Sequence, residues 1–313
     1  RDRSPSRGLG DVYKRQILYR SVDINKATIA GNSVMLAINQ KQEHTDSYYA
    51  ASVNDQTSFP VLEGAHSADV CVVGAGFTGV ATALTLAERG YSVAVIEANR
   101  VGWGASGRNG GQLINGISGL EKLRKRHGDG IANMLWDMKW RGNDIVYDRV
   151  EKYGINCDLK PGFIETACKK SHLPYLDEYA EEREKHNHPY EYEIWDRAKT
   201  CDLLGTDEFI GAFACYRDGH LHPLNLCIGE ARAAERLGVR FFEQSPVTGI
   251  EYRARPKVNS KSGHVTADAI VLAGNAYSQF EPKHFSNLIF PVSSYIIATE
   301  PLPDNVALSL IHI

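Results

Sequence analysis

The sequence of 313 residues has no long hydrophobic run, no closely paired cysteines and no strong excess of either charge. No segment reaches the roughly 18 apolar residues of a membrane-spanning helix, and the first residues lack the basic-then-apolar order of a secretory signal. A net charge of −3, with 43% hydrophobic and 23% charged residues, is typical of a globular protein and offers nucleic acid no basic surface. We therefore expect a cytoplasmic protein with no membrane span and no nucleic-acid partner.

Motifs for disulfides and metals are also scarce. The six cysteines lie far apart without a CxxC pair, and Cys71 lies inside an apolar, strand-like run. Buried free thiols in a reducing compartment explain this pattern better than disulfides or zinc. His220 and His222 form a His-x-His pair, but no third ligand is spaced to join them, so we predict no metal site.

The start of the chain differs in character from the rest. Residues 1–34 are polar and aperiodic, and the first methionine is Met35. We expect residues 1–34 to be a non-native or disordered leader that contacts nothing. Residues 35–68 are then an N-terminal extension of the folded protein.

The first strong structural signal is a glycine fingerprint after an apolar run. Residues 70–73 predict a buried parallel strand that stops at Gly74. Gly74, Gly76 and Gly79 have GxGxxG spacing, which allows a tight turn, close approach of a pyrophosphate and close packing of the next helix, respectively. The helix predicted over residues 77–89 would direct its N-terminal N–H groups and its dipole at the phosphates.

A second strand and an acidic residue complete this unit. Gly90 is a helix C-cap, and residues 92–96 form the next predicted strand, which ends at Glu97. An acidic side chain about twenty residues beyond the glycines is placed to accept hydrogen bonds from an adenosine ribose. The whole order of elements predicts a bound dinucleotide; the alternative is a glycine-rich turn that binds nothing.

The segment that follows favours FAD over NAD. Five glycines lie within residues 102–111, a density that excludes a helix or a stable strand. Such an open backbone offers many N–H groups, and the side chains of Ser106, Arg108 and Asn109 suit a pyrophosphate or the edge of a flavin. A plain surface loop is the alternative interpretation of this segment.

Helical and strand-like patterns alternate through the middle of the chain. Residues 120–153 have helix-like apolar spacing, and the pair Trp136 and Trp140 predicts a core stripe rather than a cofactor contact. A further helix begins near Pro223, since proline is favoured in a first turn. Two strands and one charged helix are predicted at residues 163–167, 209–216 and 174–185.

Together these motifs resemble the D-amino-acid-oxidase-like family of FAD-dependent oxidoreductases, over about residues 47–310. The glycine fingerprint, Glu97 and Gly104–Gln112 carry the resemblance to the family. Residues 219–226 and 271–277 point to the branch that oxidises gamma-glutamylputrescine.

The resemblance implies an α/β fold, with a Rossmann-like FAD-binding domain and an interleaved α+β substrate domain that is incomplete at the C-terminus. The FAD-binding domain would comprise residues 69–155 and 223–280. The substrate domain would comprise residues 156–222 and the truncated segment 281–313. A late strand, residues 268–274, is expected to return to the FAD-binding domain.

The resemblance also implies which residues contact FAD. Val247 matches a position whose backbone meets the adenine, although a strand core residue is an equal interpretation. The one catalytic candidate is His222, with a helix-entry histidine of no catalytic role as the alternative. The implied FAD-binding residues are Gly74, Gly76, Phe77, Thr78, Gly79, Glu97, Ala98, Arg100, Gly104, Ala105, Ser106, Arg108, Asn109, Gly110, Gly111, Gln112, Val247, Ala273 and Gly274.

The implied activity is FAD-dependent oxidation of a small-molecule amine, with O2 as the electron acceptor. Gamma-glutamylputrescine would give the aldehyde, ammonia and hydrogen peroxide. A D-amino-acid or sarcosine-type oxidase on the same fold is one alternative, and an arginine clamp on an alpha-carboxylate would favour it. An FAD-binding fragment without turnover is the other alternative.

Overall fold

The computed structural model describes residues 43–56, 58–116, 119–186, 190–277 and residue 296. The predicted leader, residues 1–34, lies outside these residues, as does the predicted segment 281–313 apart from Ile296. The strands are β1 Gly64–Val73, β2 Val93–Ile96, β3 Gln112–Leu113, β4 Lys160–Ala167, β5 Tyr192–Trp195, β6 Gly211–His220, β7 Arg240–Phe242, β8 Val247–Glu251, β9 Lys257–Ser260 and β10 Gly263–Leu272. The α-helices are α1 Tyr48–Ala51, α2 Phe77–Glu88, α3 Leu120–His127, α4 Asp129–Tyr153, α5 Leu173–Lys185, α6 Arg197–Leu204 and α7 Pro223–Arg236.

The larger sheet has the strand order β7-β2-β1-β10-β9-β8. Strands β7, β2, β1 and β10 are parallel, whereas β9 and β8 extend the sheet in antiparallel pairs. The apolar run predicted at residues 70–73 ends β1, where Cys71 and Val72 are fully buried. Because α2 connects the adjacent parallel strands β1 and β2, this part of the chain forms the predicted Rossmann-like unit.

Helices α2 and α7 pack with β1 and β2 in one hydrophobic core. Helix α2 contributes Val80, Ala83 and Leu84, and α7 contributes Leu224 and Ala231, all essentially without exposed surface. The small alanines let the two helices approach each other and the sheet closely. A separate cluster, which includes residues from β1, β2, β9 and β10, forms a second apolar layer of the same sheet.

In the smaller sheet, β6 is the central strand. It pairs antiparallel with β4 along most of its length and with β3 and β5 at different parts of its length. Phe213 and Cys215 of β6 pack against Trp136 and Trp140 of α4 and against Leu176 of α5. The two tryptophans are 3% and 5% exposed, as a core position requires, whereas Ile131, Met134 and Met138, which belong to the same predicted apolar spacing, are exposed.

Helix α4 contributes to the cores of both sheets. Its first half carries the tryptophans of the smaller core, whereas Arg149 in its last turns is hydrogen bonded to Glu230 of α7 and Thr85 of α2. The predicted first FAD-binding segment, residues 69–155, is therefore shared between the sheets, and residues 112–140 lie with the smaller one.

Most of the predicted elements are present, with shifted boundaries. The fingerprint helix begins at Phe77 as predicted, and the helix predicted near Pro223 begins there. The helical region 120–153 is two helices, because Gly128 separates them with a φ of +84°. Among the helices that the structure describes, none is long and apolar enough to cross a membrane.

Candidate cofactor site

The glycine turn between β1 and α2 is closed by the end of β10. Gly74 has a φ of +102°, and a Cβ atom on it would lie 2.6 Å from the carbonyl oxygen of Ala273 and 3.1 Å from the nitrogen of Gly274. A Cβ atom on Gly79 would overlap the carbonyl oxygen of Gly74. The Ala273 N–H also donates to the Val73 carbonyl at 2.8 Å. The fingerprint and the predicted late strand therefore meet at one point.

The N-terminus of α2 faces the glycine-rich segment. Its N-cap residue is Gly76, which has no side chain to accept hydrogen bonds from the first turn. Instead, Oγ of Ser106 accepts from the N–H of Phe77 at 2.9 Å, and a Cβ atom on Gly76 would lie 2.8 Å from that oxygen. The first-turn amides, which include that of Thr78, and the helix dipole make this end suitable for an anion.

Glu97 follows β2 and reaches back to the glycine turn. Its Oε2 accepts from the N–H of Ala75 at 2.7 Å, and its Oε1 accepts from the N–H of Asn99 at 2.9 Å. A carboxylate has about four lone-pair sites, so Glu97 can still accept a hydrogen bond from a ligand hydroxyl group. Burial raises the pKa of Glu97, as does the nearby charge of Glu243, against the effect of backbone hydrogen bonds that include one from Ala98.

Arg100 has its guanidinium between two carboxylates. The distance from Nη2 to Oε1 of Glu43 is 2.6 Å, and that from Nη1 to Oε2 of Glu243 is 2.8 Å. These hydrogen bonds raise the pKa of Arg100 further above its ordinary value. The predicted contact between Arg100 and FAD stays a prediction. In the structure, the Arg100 guanidinium forms ion pairs with Glu43 and Glu243.

Asn109 holds the glycine-rich segment in shape. A single turn of 3-10 helix, Ala105–Gly107, interrupts an otherwise irregular backbone. The Asn109 Nδ2 donates to the carbonyl oxygen of Ser106 at 2.9 Å, and its Oδ1 accepts from the N–H of Gly111 at 2.8 Å. The side chain thus fixes the loop that presents Ser106 to α2.

Arg108 lies on the exposed side of the same loop. Its guanidinium carbon is 4.4 Å from the centre of the Trp103 ring, and its Nε donates to the Trp103 carbonyl at 2.8 Å. The Trp103 ring in turn meets the ring of Tyr277 edge-on, next to Gly104. Arg108 is therefore held near the segment that follows Ala273 and Gly274.

The glycine-rich segment ends in the smaller sheet. Gly111 has a φ of +68°, and its carbonyl oxygen accepts from the N–H of Leu221 at 2.7 Å. Gln112 then pairs with His220 as β3 joins β6. Gly110 is exposed just before this junction. The segment with the predicted cofactor contacts thus runs from the nucleotide turn to the second sheet.

Val247 lies in the edge strand β8 of the larger sheet. It begins β8, is half-buried and packs against the apolar layer of the larger sheet. Two residues before it, the Ser245 N–H donates to the Glu97 carbonyl at 2.9 Å. Both interpretations of Val247, an adenine contact and a strand residue, agree with this position.

His222 is the N-cap of α7. Its Nδ1 accepts from the N–H of Asn225 at 3.1 Å, and its Nε2 lies 3.1 Å from Oγ of Ser52, whose hydroxyl donates to the Tyr48 carbonyl. This network assigns the proton to Nε2, and burial lowers the pKa of His222. With both ring nitrogens engaged, the geometry favours the helix-entry role over the catalytic one.

The residues that sequence reasoning missed follow β7. Glu243 is buried and accepts from the N–H of Val101 at 2.8 Å, and Ser245 is buried beside it. A signal for Glu243 existed, because residues 239–242 are a mainly apolar, strand-like run, interrupted by Arg240, that a glutamate follows, as Glu97 follows residues 92–96. The ion pair between Glu243 and Arg100 could not be predicted from the sequence, because the two residues are 143 positions apart in the chain.

A glycine turn, a helix N-terminus and a carboxylate at the carboxyl ends of adjacent parallel strands define a dinucleotide-binding α/β protein. Residues 69–312 match the family described as FAD dependent oxidoreductase, or DAO. The chain belongs to this family, which confirms the predicted family, fold class and cofactor.

Known relatives agree with this assignment. The chain is 43% identical over 277 residues to the probable oxidoreductase OrdL of Haemophilus influenzae, an alignment of 87% of the chain and 64% of the relative. It is 41% identical over 272 residues to gamma-glutamylputrescine oxidoreductase of Escherichia coli K12, over 86% of the chain and 63% of the relative. An L-amino acid deaminase from Proteus myxofaciens, 24% identical, superposes with a TM-score of 0.60 over 71% of this chain and 49% of that one, and supports the fold. The chain thus spans slightly less than two thirds of the two curated relatives.

The residues present suit FAD. A side chain at Gly76 would fill the space between α2 and Ser106, so glycine keeps the start of the helix open to a pyrophosphate. Glu97 keeps acceptor capacity for a ribose hydroxyl group at the neighbouring strand end. The pyrophosphate and the adenosine ribose of FAD therefore each have complementary groups at the ends of adjacent strands.

Proposed function

We propose that this chain is the FAD-binding part of an amine oxidase that acts on gamma-glutamylputrescine or a similar gamma-glutamylated polyamine. The terminal amine, water and O2 would give the aldehyde, ammonia and hydrogen peroxide. The observation that carries the proposal is the meeting of the Gly74 turn, Glu97 and Ala273 at the ends of three adjacent parallel strands. The identity of 41% to the Escherichia coli enzyme supports the substrate class.

In this proposal, the described residues bind and orient the cofactor. The N-terminus of α2 and Ser106 would hold the pyrophosphate, Glu97 would accept from the ribose, and residues 109–112 would lead to the flavin between the two sheets. When bound, FAD supplies the two-electron acceptor that amine oxidation requires. His222 has no assigned role in the reaction, because its ring nitrogens are engaged in capping α7 and in the bond to Ser52.

The test is a flavin absorbance spectrum of the purified protein, followed by anaerobic addition of gamma-glutamylputrescine. We expect a yellow protein whose flavin band is bleached by this amine and restored by O2, with one hydrogen peroxide formed per aldehyde. Sarcosine and D-amino acids are the matched comparison compounds.

The outcomes separate the cofactor from the substrate. A yellow protein that only sarcosine or a D-amino acid bleaches would be an oxidase of the alternative type. A yellow protein that none of these compounds bleaches would contradict the amine-oxidase proposal and keep FAD. A colourless protein that cannot be reconstituted with FAD would contradict both parts.

A further inference from the structure

We propose that Glu243, together with Arg100, is a positioning residue for the adenosine half of FAD. The inference rests on the cofactor site in the proposed function and concerns residues behind that site. Glu243 is 3% exposed and follows β7, beside the loop that follows β2. That loop, residues 97–101, begins with the proposed ribose ligand Glu97.

The Glu243 carboxylate fixes the far end of the loop. Its Oε1 accepts from the N–H of Val101 at 2.8 Å, and its Oε2 accepts from Nη1 of Arg100 at 2.8 Å. The same Oε2 accepts from the N–H of Phe59 at 3.0 Å. Buried hydrogen bonds to a charged acceptor are stronger than those between neutral groups, so this carboxylate ties three segments together.

The backbone around Glu243 fixes the near end of the loop. The Glu97 N–H donates to the Phe242 carbonyl at 2.8 Å, and the Glu97 carbonyl accepts from the Ser245 N–H at 2.9 Å. The Asn99 carbonyl accepts from the Gln244 N–H at 2.9 Å. Both ends of the loop that carries Glu97 are therefore bonded to residues 242–245.

Arg100 provides the charge balance that two close carboxylates need. Burial raises the pKa of Glu97 and the charge of Glu243 raises it further, which disfavours the ionised form that accepts from ribose hydroxyl groups. The Arg100 guanidinium, 2.8 Å from Glu243, offsets that charge. Arg100 also pairs with the exposed Glu43, and its part in this inference is to offset the charge of Glu243.

The test compares two buried glutamates. Glu243→Gln turns an NH2 group toward N–H donors, and we expect the Kd values for FAD and for ADP to rise together by about 10- to 100-fold. The matched control is Glu230→Gln, because Glu230 of α7 is also 3% exposed and its carboxylate lies 2.9 Å from the guanidinium of Arg149 of α4. The control is expected to lower Tm and to leave both Kd values within twofold of the wild type.

A second pair of variants covers the case in which Glu243→Gln does not fold. Arg100→Met is expected to move the pH dependence of FAD binding to higher pH, and Arg100→Lys to restore it in part. A purely structural role would lower Tm without this change in the pH profile.

Two results would overturn the inference. If Glu243→Gln lowers Tm as Glu230→Gln does but leaves the Kd values for FAD and ADP unchanged, Glu243 does not position the site, and the cofactor site itself stands. If the wild-type protein binds neither FAD nor ADP, the proposed function fails together with this inference.

Discussion

At the scale of single residues, the closest backbone approach in the candidate site is at Gly79. A Cβ atom there would overlap the Gly74 carbonyl, so Gly79→Ala must push α2 away from the turn. We expect this variant to lose about 1–3 kcal/mol of unfolding free energy and to bind FAD poorly. Gly142→Ala is the control, because a Cβ atom on this residue of α4 meets nothing within 4 Å. It is expected to stabilise the protein by about 0.5–1 kcal/mol. Urea unfolding and FAD titration check both, and equal behaviour of the two variants would contradict the tight turn.

Glu97 should make FAD binding sensitive to acid. When the pH falls through the raised pKa of this carboxyl group, the added proton turns one acceptor oxygen into a donor. We expect the Kd for FAD to rise at acid pH, from a point above the ordinary pKa of 4.5. Titrations of the wild type and Glu97→Gln at a series of pH values check this, because the variant should bind weakly at every pH. An unchanged pH profile in the variant would assign the effect to another group.

The same group affects stability in the opposite direction. An acid with a higher pKa in the folded than in the unfolded state binds more protons when folded, so its contribution to stability falls as pH rises through that interval. In the apoprotein, ionised Glu97 is therefore a cost, which bound hydroxyl groups would offset. The buried carboxylate of Glu97 therefore lowers the stability of the apoprotein, and ligand binding would recover that loss.

At the scale of elements, α7 depends on a neutral histidine at its first turn. Burial lowers the pKa of His222, so the folded state binds fewer protons than the unfolded state between the lowered pKa and 6.5. This contribution to stability is present above pH 6.5 and is lost as the pH falls toward the lowered pKa. We expect His222→Asn, which keeps a capping acceptor, to be less sensitive to acid than the wild type. Urea unfolding at neutral and mildly acid pH checks this, with His127→Asn at the exposed end of α3 as the control. Equal acid sensitivity of His222→Asn and the wild type would contradict the dependence of α7 on a neutral His222 at its N-cap.

Elements with local signals could be predicted, and elements made by distant pairing could not. The GxGxxG spacing and the His222-Pro223 step specify their turns within a few residues, and both helices begin where the sequence indicates. Strand β3 has two residues and exists because Gln112 meets His220 across the second sheet. Similarly, Arg100 forms an ion pair with Glu243, a residue distant in the sequence, so the residues next to Arg100 in the chain do not predict its partner. The part of the site that escapes sequence analysis is therefore the support behind the ligand-facing residues.

At the scale of the whole molecule, α4 links the packing of the two sheets through a buried charge. Arg149 is 6% exposed, and its guanidinium donates to Glu230 of α7 at 2.9 Å and to Thr85 of α2 at 2.7 Å. Three of the four tryptophans, Trp136, Trp140 and Trp195, lie in the cores of the smaller sheet. Tryptophan fluorescence therefore reports mainly on that sheet, whereas far-UV circular dichroism reports on both.

Removal of Arg149 should destabilise the larger sheet and uncouple the two sheets. Arg149→Met leaves Glu230 buried without its cation, which costs about 3–5 kcal/mol, whereas the double variant Arg149→Met with Glu230→Leu should recover most of that loss. In urea unfolding, we expect the fluorescence and circular dichroism transitions to coincide for the wild type and the double variant. For Arg149→Met, part of the circular dichroism signal should be lost at lower urea than the fluorescence signal, because α7 and α2 lose their bonds to α4 while the tryptophan core keeps its contacts. Coincident transitions in Arg149→Met would show that the hydrophobic contacts of α4 alone couple the sheets, and that the buried ion pair contributes stability without cooperativity.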